Sequence, residues 1–338
     1  MILSYRARRI LKTAAVVGLL VLLAAAVAWS IWFVWLERFV IYTRDGTVLD
    51  FGISQQPGQG EIAVEPEPEE TVSIYYDDGS AAIADTELKQ LVGYYVDTQM
   101  LQTDMSTVRE KIKTLPAGTP VMLDVKSIYG SFYYSSAVSQ QRNTELDIQG
   151  MDQLIKALDE SGMYLIARLP AFRDYHYGLH HVSDGLPVSA GYLWMDENYC
   201  YWLNPAKEGT MTYLIGIVTE LRGLGFDEVV FTDFCFPETD EIVFMADKAQ
   251  TLATAAQTLV TTCATDTFAV SFAGEDASLS LPVGRSRLYF TGVAAADAAA
   301  IAQTTGVENT AVQLVFLTEY HDTRFDVFSV LRPFSSAH

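Results

Sequence analysis

The chain has 338 residues, with 22 Lys+Arg against 42 Asp+Glu and a formal net charge of −20 at pH 7. Half of it is apolar and 12% is aromatic, which is too much apolar surface for a disordered acidic chain, so at least one packed core is expected. Such acidity repels a phosphate backbone and argues against nucleic acid as a partner.

The acidity is unevenly placed. Arg6, Arg8, Arg9 and Lys12 fall in the first 36 residues with no acid among them, directly before an apolar run from Ala14 to Leu36. At about 1.5 Å per residue that run spans roughly 33 Å, enough to cross the hydrocarbon core of a bilayer. Basic residues ahead of it predict a cytoplasmic tail over 1–12, a transmembrane signal anchor over 13–36 and an extracellular remainder. Trp29, Trp32 and Trp35 cluster at the far end, as interfacial aromatics do. The alternative is a cleaved signal peptide, for which Ala26-Val27-Ala28 offers a small-x-small site. The run continues past that site and exceeds the usual apolar region of a signal peptide, which points to the anchor.

Residues 37–54 read as a juxtamembrane β-hairpin around Asp45-Gly46. Residues 55–71, QQPGQGEIAVEPEPEET, are Pro- and Glu-rich and predict a solvated linker. From residue 72 to 338 the texture is that of one folded unit. Strands are expected at Leu91–Asp97, Pro120–Val125, Met163–Leu169, Glu228–Asp233, Thr267–Phe272, Ser286–Phe290, Thr310–Leu317 and Asp326–Leu331. Helices are expected between them at Met105–Thr114, Ile148–Ser161, Gly209–Leu224, Ala246–Ala264 and Val293–Thr304. This alternation predicts an α/β fold, a (β/α)8 TIM-like barrel. Only Glu319 to Phe325 separates the last two strands, shorter than a parallel crossover requires, so either the barrel is incomplete in its last third or one of those strands is misplaced.

Cys200, Cys235 and Cys263 form no CxxC pair and read as free thiols. His176, His180 and His181 stand in H-Y-G-L-H-H, but Gly178 weakens a helix there and no HExxH accompanies them, so neither a metal nor another cofactor is expected.

In a barrel of this kind chemistry sits at the C-terminal ends of the strands. Asp124 and Lys126 end the second strand two residues apart, where a lysine can hold the carboxylate ionised. Arg168 ends the third strand with Asp174 beyond it, Asp233 ends the fourth, and Glu275 and Asp276 follow the fifth. Asp124 with Asp233 or Glu275 is the candidate pair for glycoside hydrolysis, which needs two carboxyl groups about 5–5.5 Å apart for retention or about 6.5–9.5 Å for inversion. The long loop from Pro170 to Glu208 carries Trp194 and Trp202 among many aromatics, and sugar rings present C–H faces to such platforms. The alternative is that this loop packs on itself.

The blocks VMLDVKSIYG, YLIARLPAFRD, GYLWMD, YWLNP and LGFDEVVFTDFCFP, in that order over about residues 91–237, resemble a bacterial family of membrane-anchored or secreted TIM-barrel putative glycosyl hydrolases, a domain of unknown function. The resemblance implies a barrel and a polysaccharide or glycan partner, with Asp124, Lys126, Arg168, Asp174, Trp194 and Trp202 carried over and Asp196 and Asn204 within the same blocks. It also marks departures. The family ends its fourth strand with FDYVRFP, which puts Thr232 at the Asp position and Cys235 at the Arg position. Asp233 is then one residue late and should face away from the interior unless a bulge re-aims it. Acids common after the second strand are here Ser127, Ile128 and Tyr129. The expectation is therefore an anchored extracellular glycosidase acting on a surface polysaccharide, or a non-catalytic glycan-binding or scaffold barrel that has lost the acid pair.

Overall fold

The computed structural model describes residue 29, residues 40–43 and 46–49, residues 87–274 and residues 280–334. The predicted tail and membrane helix (apart from Trp29, which is helical), the linker, Glu275 and Asp276 lie outside the described residues. Among the described residues no helix is long and apolar enough to cross a membrane. The chain divides into two compact units, Met1–Gly79 and Ser80–His338.

In the first unit, β1 (Val40–Thr43) and β2 (Gly46–Leu49) form the expected antiparallel hairpin. Gly46 pairs directly with Thr43, so the reversal falls one residue earlier than the Asp45-Gly46 signal suggests.

The second unit is a closed barrel of eight strands, all neighbours parallel, in the order β10-β3-β4-β5-β6-β7-β8-β9. The strands are β3 (Val92–Val96), β4 (Pro120–Asp124), β5 (Tyr164–Pro170), β6 (Glu228–Thr232), β7 (Ala269–Gly274), β8 (Leu288–Thr291), β9 (Leu314–Leu317) and β10 (Ser329–Pro333). Its main helices are α1 (Thr98–Ile112), α2 (Ile148–Glu160), α3 (Tyr175–His180), α4 (Glu208–Gly223), α5 (Lys248–Cys263), α6 (Ala298–Thr305) and α7 (Thr310–Gln313).

The barrel is complete, so of the two alternatives for the last third the misplaced strand bounds hold and the incomplete barrel does not. Residues 310–313 form α7 rather than the start of a strand, and β10 begins at Ser329 rather than Asp326. The crossover therefore runs from Thr318 to Phe328, long enough to return parallel with only a short 3-10 turn, Thr323–Phe325. A helix also forms at Tyr175–His180 despite Gly178, because a side chain there would strike Tyr201 and glycine alone lets the two segments approach.

Aspartates start four helices by accepting a backbone N–H in the first turn: Asp97 from Met100, Asp147 from Gly150, Asp174 from Tyr177 and Asp247 from Gln250. On α2 the apolar residues Met151, Leu154, Ile155 and Leu158 recur at helical spacing and are buried against the barrel, each worth about 1.5–3 kcal/mol relative to exposure. The barrel interior is a separate core of inward side chains that includes Met122, Ile166, Val230, Tyr289, Val315 and Leu331. At its N-terminal end Glu228 ion-pairs with Arg287 and accepts hydrogen bonds from Tyr164 (2.9 Å) and Tyr289 (3.0 Å), so a buried charge pair lies beneath the apolar layer.

Candidate active-site cleft

Strand parity determines what reaches the C-terminal mouth. Met122, Ile166 and Val230 point inward, so Asp124, Arg168 and Thr232, each two residues further on, do the same. Asp124 and Arg168 are also register partners across β4 and β5. Their side chains meet in a bidentate pair, with Arg168 Nε 2.6 Å from Oδ1 and Nη2 3.1 Å from Oδ2. Thr98 at the start of α1 donates a further hydrogen bond to Asp124 Oδ2 at 2.9 Å. The guanidinium carbon of Arg168 lies 6.0 Å from the centre of the Tyr95 ring. Burial raises the Tyr95 phenol above its ordinary value, and the Glu319 and Asp97 charges raise it further against the opposing effect of Arg168.

A cleft of about 710 Å³ opens over this pair. Besides Asp124, Arg168 and Thr232 it is lined by residues of the segment between β4 and α2, among them Ser127, Tyr129, Gln141, Arg142, Asn143 and Glu145. Sequence reasoning passed over that segment for the longer one after β5. The signal that could have found it is the run of amides and charges from Gln141 to Glu145, directly before a helix cap.

The other site candidates go elsewhere. Lys126 does not pair with Asp124. The strand ends at Asp124, and Lys126 sits in a bridge with Phe132 beyond it, where the two-residue alternation no longer holds. Its ammonium is 2.8 Å from Asp174 Oδ2 with both side chains wholly buried, and it also donates to the Pro170 carbonyl at 3.1 Å. Asp174 accepts from the Tyr213 hydroxyl at 2.9 Å and caps α3, so this group is structural. Gly130, at φ +79°, passes so close that a Cβ would lie 2.2 Å from Asp174 Oδ1.

Asp233 does not line the cleft, in line with the parity argument. Its φ of 49° is left-handed, it accepts from the Thr232 hydroxyl at 3.1 Å, and its Oδ1 stands 3.7 Å from Arg173. Arg173 in turn pairs with Asp196 at 2.6 Å and lies over the Trp202 ring. Burial would raise the Asp196 carboxyl, but hydrogen bonds from the Cys200 N–H, the Trp202 indole and Arg173 hold it below the ordinary carboxylate value.

Trp202 and Asn204 are buried within the long loop, which packs on itself through short bridges such as Arg173–Trp202 and Met195–Tyr201. Trp202 is therefore no open sugar platform. Trp194 is partly exposed on a different groove with Tyr192, Leu193 and Tyr201, its indole N–H donating to Glu241 at 2.8 Å. Glu275 lies outside the described residues. Among the described residues no cluster of three or more His, Cys, Asp or Glu forms a metal site, and Cys200, Cys235 and Cys263 form no disulfide.

A closed parallel (β/α)8 barrel with a polar cleft at the carboxyl ends of its strands defines a class of TIM-barrel proteins whose sites occupy that face. The chain belongs to the family described as "putative glycosyl hydrolase domain", whose model matches residues 95–272. Among solved structures, a GH36 alpha-galactosidase from Geobacillus stearothermophilus in complex with raffinose is 12% identical with a TM-score of 0.52, over 74% of this chain and 39% of that one. The alpha-galactosidase from Lactobacillus brevis is 10% identical with a TM-score of 0.50, over 74% and 38%. A hypothetical protein from Ruminiclostridium thermocellum ATCC 27405 is 18% identical with a TM-score of 0.46, over 53% and 96%. The chain spans well under half of each galactosidase chain, and at these identities the likeness is one of fold. No curated protein matches the chain.

Proposed function

We propose that the protein is a membrane-anchored, glycan-binding barrel of glycosyl hydrolase type that holds sugar in the cleft over Asp124 and Arg168 and does not hydrolyse it. The observation that carries this reading is Thr232. It occupies the inward position at the end of β6, where the FDYVRFP pattern of the resembling family has an acid, while the neighbouring Asp233 turns to Arg173. Asp124 supports it as well, since both of its oxygens are already engaged by Arg168 and Thr98. A carboxylate and a guanidinium held side by side offer the paired acceptors and donors that a sugar diol requires.

The test is to incubate the purified full chain with wall and capsular glycans. Retention without release of reducing ends is expected, and release by the unmodified protein overturns the reading. Thr232→Asp combined with Cys235→Arg reinstates the family's pattern and is expected to bring detectable release.

A second reading, hydrolysis, is favoured by Glu145, a second carboxylate on the wall of the same cleft as Asp124. It predicts release that Asp124→Asn and Glu145→Gln each abolish.

The anchor belongs to the same proposal. The apolar run from Ala14 to Leu36 behind Arg6, Arg8, Arg9 and Lys12 supports a single span with the barrel on the outer side, on a Pro/Glu-rich spacer. Recovery of the chain in the membrane fraction, with the barrel open to added protease on intact cells, is the expected result.

A further inference from the structure

We propose that the cleft selects uncharged sugars over anionic ones, an inference that rests on glycan binding in the cleft. Each cation reaching the cleft is matched by an acid. Arg168 spends Nε and Nη2 on Asp124, and Lys126 is wholly buried against Asp174. The rim adds one exposed cation, Arg142, and one exposed anion, Glu145, three residues apart.

An incoming carboxylate or sulfate therefore finds no excess of positive charge among these groups. To take the Nε/Nη2 edge of Arg168 it must displace Asp124, leaving that acid without its main partner. The same wall presents uncharged groups with hydrogen-bonding capacity to spare. The Gln141 carboxamide and the Thr144 hydroxyl make no hydrogen bond among the described residues, and Asn143 uses its oxygen on the Glu145 N–H while its amide nitrogen stays available. Amides and hydroxyls of this kind satisfy sugar hydroxyls in both donor and acceptor roles.

Calorimetry of the full chain with neutral hexose oligosaccharides and with uronic acid oligosaccharides of equal length, at about pH 8 so that histidine charge does not enter, tests this. Neutral sugars should bind at least about tenfold tighter, with affinity unchanged between low and high salt. Gln141→Ala with Asn143→Ala should weaken that binding, and unchanged affinity would place the sugar elsewhere and overturn the inference. Glu145→Gln removes the exposed rim anion and leaves the cleft with a net positive charge, so uronic acid affinity should rise several-fold at low salt and fall back at high salt. Preference of the unmodified protein for uronic acids, or no rise in Glu145→Gln, overturns the selectivity while leaving glycan binding intact. Binding of neither class overturns both.

Discussion

Lys126 and Asp174 meet at 2.8 Å with both side chains wholly buried, tying the segment after β4 to the segment after β5 beneath the cleft. Breaking such a pair from one side leaves an uncompensated buried charge, which costs about 3–5 kcal/mol. Lys126→Met is expected to lower stability in urea by that order. Lys126→Met with Asp174→Asn should recover part of the loss, because no lone charge remains and the asparagine still caps α3. A double variant as unstable as the single one would mean that the pair's charge is not what matters.

Gly130 touches the same acid. At φ +79°, with a Cβ position 2.2 Å from Asp174 Oδ1, Gly130→Ala meets both backbone strain and a clash, and should cost at least about 1–3 kcal/mol. Gly306 ends α6 at φ +63° with open space around it, so Gly306→Asn should be nearly neutral. Thermal denaturation of the two variants side by side measures the difference.

Asp196 gives the acid limb of stability a defined sign. Burial opposes its charge, but the Cys200 N–H, the Trp202 indole and Arg173 outweigh burial and hold its folded pKa below 3.8. Its contribution is thus present above the unfolded value and is lost as pH falls through the folded one. Asp196→Asn should therefore bring the protein closer to pH-independent stability below about pH 4, as read from denaturation midpoints against pH. A midpoint curve parallel to that of the unmodified protein would remove Asp196 from the acid response.

The alkaline limb is governed by buried phenols. Desolvation, with the Glu220, Glu228 and Asp174 charges adding to it, pushes Tyr134, Tyr164, Tyr213 and Tyr289 well above the ordinary tyrosine value. A raised folded pKa means that stability is full below the unfolded value near 10 and is lost as pH rises toward the folded one. Ultraviolet titration should show exposed tyrosines ionising gradually and these four only in a cooperative step that coincides with loss of circular dichroism. Gradual ionisation of all tyrosines in a folded chain would contradict their burial.

Much of the barrel is legible in the primary structure because each strand and helix must bury apolar side chains at its own period. Leu165, Ala167 and Leu169 on one face of β5, and Met151, Leu154 and Leu158 on α2, carry that signal locally. Parity within a strand is equally local, which is why the inward aim of Thr232 and the exclusion of Asp233 follow from counting alone. The same counting misplaces Lys126, because alternation ends where β4 ends and nothing in the spacing announces that Asp124 is the last strand residue.

The partners of the charged groups were not legible. Asp124 and Arg168 are forty-four positions apart and meet only because β4 and β5 pair in register, and Trp202 is buried in a loop where it bridges to Arg173, twenty-nine positions earlier. Residue type and period were enough to point to an α/β barrel, and parity to aim Thr232 inward and Asp233 away from the cleft. The tertiary structure decided which cation neutralises Asp124, that Lys126 and Asp174 are structural, and that the cleft is walled by the segment after β4. Those outcomes depend on contacts between distant segments, and their energies arise from geometry and burial that come into being only when the barrel closes.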